Sequence, residues 1–156
     1  MATPFSDIYT RALFKFQNYD FLKYTDEVKE IKMFNHLLAS IVDFQYSCKS
    51  PLTYSELPKD DINLPTTYAF DEDLDEQEKQ ILALGVAFHM LSNKVLSSEH
   101  LKNIIANSDY KFFSPGNLLS ELQKLRSEIR NEYEGKINTY SFRNSDLANL
   151  KPNRGV

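Results

Sequence analysis

The sequence predicts an all-α fold: a bundle of four to five helices with a long irregular loop over residues 49–74 and an extended C-terminal arm. Three observations predict it. Apolar residues recur at intervals of three and four along most of the 156-residue chain, the signature of helices that bury one face. Only four glycines accompany nine tyrosines and eleven phenylalanines, whereas a β-sandwich would need frequent turns. The segment ILALGVAFHML, residues 81–91, is almost continuously apolar, as expected of a helix enclosed by its neighbours. The length suits one domain, divided into a helical body, residues 1–142, and an arm, residues 143–156.

The first helical segment is read from Phe5, Ile8, Tyr9, Ala12, Leu13 and Phe16, which fall on one face and form a docking stripe. A second begins at Thr25, whose hydroxyl can cap free amides, with Asp26 and Glu27 favourably placed in the first turn. It runs to about Cys48. Its wide apolar face, from Val28, Ile31, Phe34, Leu37, Leu38, Ile41, Val42 and Phe44, predicts a helix at the centre of the bundle. The connection from Lys49 to Leu74 carries Pro51, Pro58 and Pro65, each removing a backbone donor, so it reads as a loop or short extended hairpin. Its Tyr54, Leu57, Ile62, Leu64, Tyr68 and Phe70 are apolar enough to pack on a surface, and connections of this length in compact domains are often functional.

A third helix starts after Asp75, with Glu78 three residues on in a capping-box arrangement, and Gly85 within it predicts a close helix crossing. Past Ser97 and Ser98, a separate short helix carries Leu101, Ile104 and Ile105 and leads to a turn at Asn107, Ser108 and Asp109. The last helix opens at Ser114 with Pro115 in its first position, where a missing amide costs nothing. Leu118, Leu122, Leu125, Ile129, Tyr133, Ile137 and Tyr140 give it a narrow apolar stripe.

Charge and composition narrow the function classes. A net charge of −4 argues against a bulk nucleic-acid binder. One cysteine, Cys48, excludes an intrachain disulfide and fits a reducing cytoplasm. The sequence MATPFSDIYTR has no leader pattern and no run of 18 apolar residues occurs, so neither secretion nor a membrane is expected. Between Glu56 and Lys79, nine acidic residues face two lysines. Asp71, Glu72, Asp73 and Asp75 superficially suggest calcium, but the spacing, glycine and terminal glutamate of a calcium loop are missing. The acids are better read as preparing a helix N-terminus.

Catalytic chemistry is thin. His36, His89 and His100 are too far apart for a zinc motif, and His89 reads as a core histidine. Cys48 beside Lys49 could be an activated thiol, but the C-terminal end of a helix opposes a thiolate. Ser114-Pro115-Gly116 is no nucleophile elbow, and the glycines are too isolated to cradle phosphate. No cofactor is expected, and the chain reads as a non-enzyme.

Several strings carry a resemblance: Phe5-Ser6-Asp7-Ile8-Tyr9-Thr10-Arg11 followed by Tyr19-Asp20-Phe21-Leu22, the acidic cap Asp75-Glu76-Gln77-Glu78, the apolar run from Ile81 to Leu91, and Asp109-Tyr110-Lys111-Phe112-Phe113-Ser114-Pro115-Gly116-Asn117-Leu118 before the long helix. In this order they resemble the small helical head-to-tail connector, or neck adaptor, proteins of tailed bacteriophages infecting Gram-positive bacteria. The long proline-bearing connection and the extended end depart from that pattern. The resemblance implies a structural virion protein, assembled in the host cytoplasm. It would form a homo-oligomeric ring of twelve copies joining the portal protein to a tail-side neck or stopper protein, with DNA passing through the centre without being specifically bound.

On that reading the arm, too poor in apolar residues to fold alone, orders on the portal, with Phe142, Leu147, Leu150, Lys151 and Arg154 as contacts. Its Arg143, Lys151 and Arg154 against Asp146 would favour an acidic portal surface. A ring needs two different sticky patches per copy, for which Phe5, Tyr9, Tyr54, Tyr68 and Phe70 are the candidates. The alternative is a small helical regulatory protein that binds another protein as a monomer or dimer.

Overall fold

The computed structural model describes residues 2–16, 24–48, 51–58, 66–106 and 115–145, and of residues 99–106 and 115–117 the backbone alone. The described chain is mostly helical: α1 (Phe5–Lys15), α2 (Asp26–Cys48), α3 (Glu76–Ala106) and α4 (Pro115–Arg143), with two short strands, β1 (Tyr54–Glu56) and β2 (Tyr68–Phe70), between α2 and α3.

Among the described residues the helices number four, because the third and the short fourth expected from the sequence are one. α3 runs 31 residues without a break, and at the expected interruption the Ser97 hydroxyl donates to the Asn93 carbonyl at 2.9 Å. Bonded back into its own helix, that hydroxyl does not cap a new one. The N-terminus of α3 is held as the sequence predicts: the Glu78 amide donates to Asp75 Oδ1 at 2.7 Å and the Asp75 amide to Glu78 Oε2 at 2.8 Å. This reciprocal pair satisfies two otherwise orphaned donors.

The centre of the bundle is α3, not α2 as the width of α2's apolar face suggested. α1, α2 and α4 all pack against α3, and every residue from Ile81 to Ala87 is buried. By length and composition Glu76–Ser98 could cross a membrane, but here the bundle covers that run. α2 buries Met33, Leu37, Ser40, Ile41 and Phe44 and leaves Val28, Ile31 and Val42 on the outside. α2 packs on α3 and also against α4, yet its wide apolar face is only partly covered.

Gly85 is the crossing point of three helices. A Cβ there would lie 2.1 Å from Ser40 Oγ on α2 and 2.9 Å from the Tyr133 hydroxyl on α4, so only glycine permits the approach. α4 buries Leu119, Leu122, Ile129, Tyr133, Ile137 and Tyr140. Leu118, expected on that stripe, is exposed, and Leu119 takes the inward position.

The strands form an antiparallel hairpin in which Tyr54 faces Phe70, Ser55 faces Ala69 and Glu56 faces Tyr68. The N-terminal segment closes on it: the Phe70 amide donates to the Thr3 carbonyl at 2.8 Å, and Pro4 bridges Ala69. Thr3 itself is buried, its hydroxyl donating to Asp73 Oδ1 and accepting from the Leu74 amide, each at 3.0 Å. These bonds fix the entry to α1 against the entry to α3.

Candidate interaction surface

The hairpin aromatics expected to contact a neighbouring subunit pack inside the chain. Phe5 and Phe70 are each 1% exposed, and Tyr9 is also buried. Phe5 and Phe70 lie 4.7 Å apart between ring centroids, and Phe34 stacks on Tyr68 at 4.5 Å. Tyr54, 5.3 Å from Phe5, covers this cluster and keeps an exposed edge, as does the half-buried Tyr68. The hairpin folds its rings back onto α1 and α2 because separate aromatic stripes on those helices offer a ready apolar surface. Phe5, Tyr9 and Phe70 therefore have no free surface for a subunit contact in this fold.

Of the arm candidates, Phe142 is described: it lies in the last turn of α4 and is 67% exposed. Its neighbour Ser141 ties that turn to the end of α2, the hydroxyl donating to the Ser47 carbonyl at 3.0 Å. Leu147, Leu150, Lys151 and Arg154 lie outside the described residues.

The polar groups of the interior are structural in their arrangement. Ser40, fully buried, donates to the Leu82 carbonyl at 3.1 Å. His89 Nε2 lies 3.0 Å from Asp43 Oδ2, across the α2/α3 seam. His36 on α2 is pushed down to about 4 by burial, with the positive charges of His89 and Lys32 adding to the effect. Burial raises Tyr133 against a smaller opposing effect of Ser40. Burial also raises Tyr140, as does its hydrogen bond to Glu78 Oε1 at 2.6 Å. Burial raises the Cys48 thiol and the Glu78 charge adds to this, the reverse of what a nucleophile needs. The side chain of His100 lies outside the described residues.

The acidic segment has local tasks. Asp73 holds Thr3 and lies 3.5 Å from Lys79, Glu76 pairs with Arg11 at 2.9 Å, and Asp75 caps α3. Among the described residues no group of three His, Cys, Asp or Glu is placed to hold a metal ion. A cleft of about 460 Å³ opens between α1, α3 and α4. Its cations are engaged, Lys15 with Glu132 at 3.0 Å, Arg11 with Glu76 and Lys136 with Gln80 at 3.2 Å, so among the described residues no set of free polar groups converges on a small ligand there.

The surface is apolar in places where a monomer gains nothing from it. Phe14, Ile31, Val42, Tyr46, Leu96, Leu118 and Phe142 are all more than half exposed. Single exposed apolar residues are ordinary, but Val28, Ile31, Val42 and Tyr46 all belong to α2, which the wide stripe in its sequence foreshadowed. Compared with known protein families, curated proteins and solved structures, the chain matches none.

Proposed function

We propose that the chain is an assembly protein, a head-to-tail connector that forms a ring of twelve copies beneath a phage portal and joins it to tail-side neck or stopper proteins. The observation that carries the reading is Phe142. This large apolar side chain stands exposed at the end of α4, on a turn anchored to α2 by Ser141, where the arm leaves the body. An exposed apolar anchor at the head of a segment poor in apolar residues suits an arm that orders on a partner. Leu147, Leu150, Lys151 and Arg154 would continue the contact, and the ring would enclose DNA without reading it.

Light scattering on a sizing column, with the protein alone and after mixing with the portal, tests the reading. The connector moves onto the portal complex, and removal of residues 143–156 abolishes the shift. A monomer or dimer that ignores the portal overturns it. The second reading, a small regulatory protein acting as a monomer or dimer on another protein, is favoured by one observation: the outward apolar face of α2.

A further inference from the structure

We propose that two copies of the chain pair through the outward faces of their α2 helices, packed antiparallel about a two-fold axis near residue 37. The core side of α2 is defined by Met33, Leu37, Ser40, Ile41 and Phe44. At 3.6 residues per turn, Val28, Ile31, Val42 and Tyr46 fall on the opposite side, within about 60° of one another. They are 36%, 55%, 63% and 88% exposed. Asn35 lies between them and the half-buried Leu38 borders them, so the stripe keeps the three- and four-residue spacing of a helix that meets another helix. From Val28 to Tyr46 it is about 27 Å long.

The charges beside the stripe select the occupant and its direction. Lys32 and Asp43 lie on the same flank, near opposite ends. In a parallel pair the two-fold axis would carry this flank to the opposite side of the seam in the second copy, so neither Lys32 nor Asp43 would meet the other. In an antiparallel pair centred near residue 37, Val28 meets the second copy's Tyr46, Ile31 meets Val42, and Lys32 meets Asp43, each contact occurring twice. Such an isologous contact needs one patch that complements itself, and this one does in that direction. Both charged groups have capacity left. Asp43 holds His89 through Oδ2 with its side chain 46% exposed, which leaves Oδ1 for a second donor. Lys32 lies over the Tyr24 ring at 4.3 Å, where its ammonium, with three donors, can still reach a carboxylate. A contact made by one helix stripe about 27 Å long on each copy is small by the standard of specific interfaces, so the pair is expected to dissociate on dilution. This pairing is a property of the chain by itself and is tested without any portal.

Sedimentation equilibrium of the purified full-length chain across a micromolar range, with far-UV circular dichroism to verify folding, decides it. The expected result is a monomer–dimer equilibrium. Ile31→Gln and Val42→Gln, both at exposed positions, each weaken it by about tenfold or more. Lys32→Glu and Asp43→Lys each shift it toward monomer, and an equimolar mixture of those two variants regains dimer, because the mixed pair restores both ion pairs. A protein monomeric throughout, or an oligomer that Ile31→Gln and Val42→Gln leave unchanged, overturns the proposal. If folded Lys32→Glu and Asp43→Lys do not pair on mixing, the antiparallel geometry is overturned.

Discussion

His36 shows how far one half-buried side chain ties stability to pH. Burial, with His89 and Lys32 adding, holds it near 4 in the folded chain, against about 6.5 in an unfolded one. Between those values the unfolded state binds a proton that the folded state refuses. The contribution to stability is therefore complete above pH 6.5 and is lost progressively as the pH falls toward 4. Asp26, Asp73 and Glu76 shift in the same direction for a different reason, their hydrogen bonds from Lys29, Thr3 and Arg11 holding them below their ordinary values. Their losses fall mainly below the His36 window. Urea unfolding is expected to show declining stability from pH 6.5 to 4, and His36→Gln to flatten that decline. An equal slope in the variant would place the proton elsewhere. Nothing in the sequence signals this role, because the burial of His36 depends on how α2 is rotated against α3. His89, read from the sequence as a core histidine, is only partly buried, and its Asp43 partner, 46 residues away, was not legible.

Capped helix starts were the most legible feature, since caps are local chemistry, whereas the expected break at Ser97 was not there. Asp75 with Glu78, and Pro115 at the head of α4, open their helices where the residue types say they should. What local chemistry could not give was which of two wide apolar helices holds the centre. The stripe on α2 and the run in α3 are both broad, and only packing against α1 and α4 puts α3 inside. Gly85 makes that arrangement testable. Substitution by alanine gains about 1 kcal/mol of helix propensity, but its Cβ would lie 2.1 Å from Ser40 Oγ and 2.8 Å from Ser40 Cβ. Overpacking of this kind costs about 1–3 kcal/mol, and α2 and α4 cannot both retreat without losing contact with α3. Gly85→Ala is expected to lower the urea midpoint, and Ser40→Gly combined with it to recover part of the loss. A Gly85→Ala protein as stable as the parent would mean that the helices cross with more room than the geometry gives.

For the whole molecule, the proposed assembly role places folding and partner binding on different residues, and this lets the proposal be tested without confusing it with damage to the fold. The sequence pointed to the arm and to Phe142, but it also assigned Phe5, Tyr9 and Phe70 to a neighbour. Aromatic content alone cannot distinguish rings that face a partner from rings that close a hairpin onto its own helices. Leu91, fully buried on α3, and Phe142, largely exposed on α4, separate the two roles. Leu91→Ala removes buried methyl groups and is expected to cost about 2–5 kcal/mol, while the fraction that stays folded keeps its partner affinity. Phe142→Ser removes nothing from the core and is expected to change stability by no more than about 0.5 kcal/mol, yet to weaken portal association strongly. Measured side by side, by unfolding and by co-migration on a sizing column, the two variants should fail opposite tests. If Phe142→Ser binds as the parent does, the anchor is not at the end of α4. If it unfolds early, the exposed ring is part of the fold and the assembly reading loses the observation that carries it.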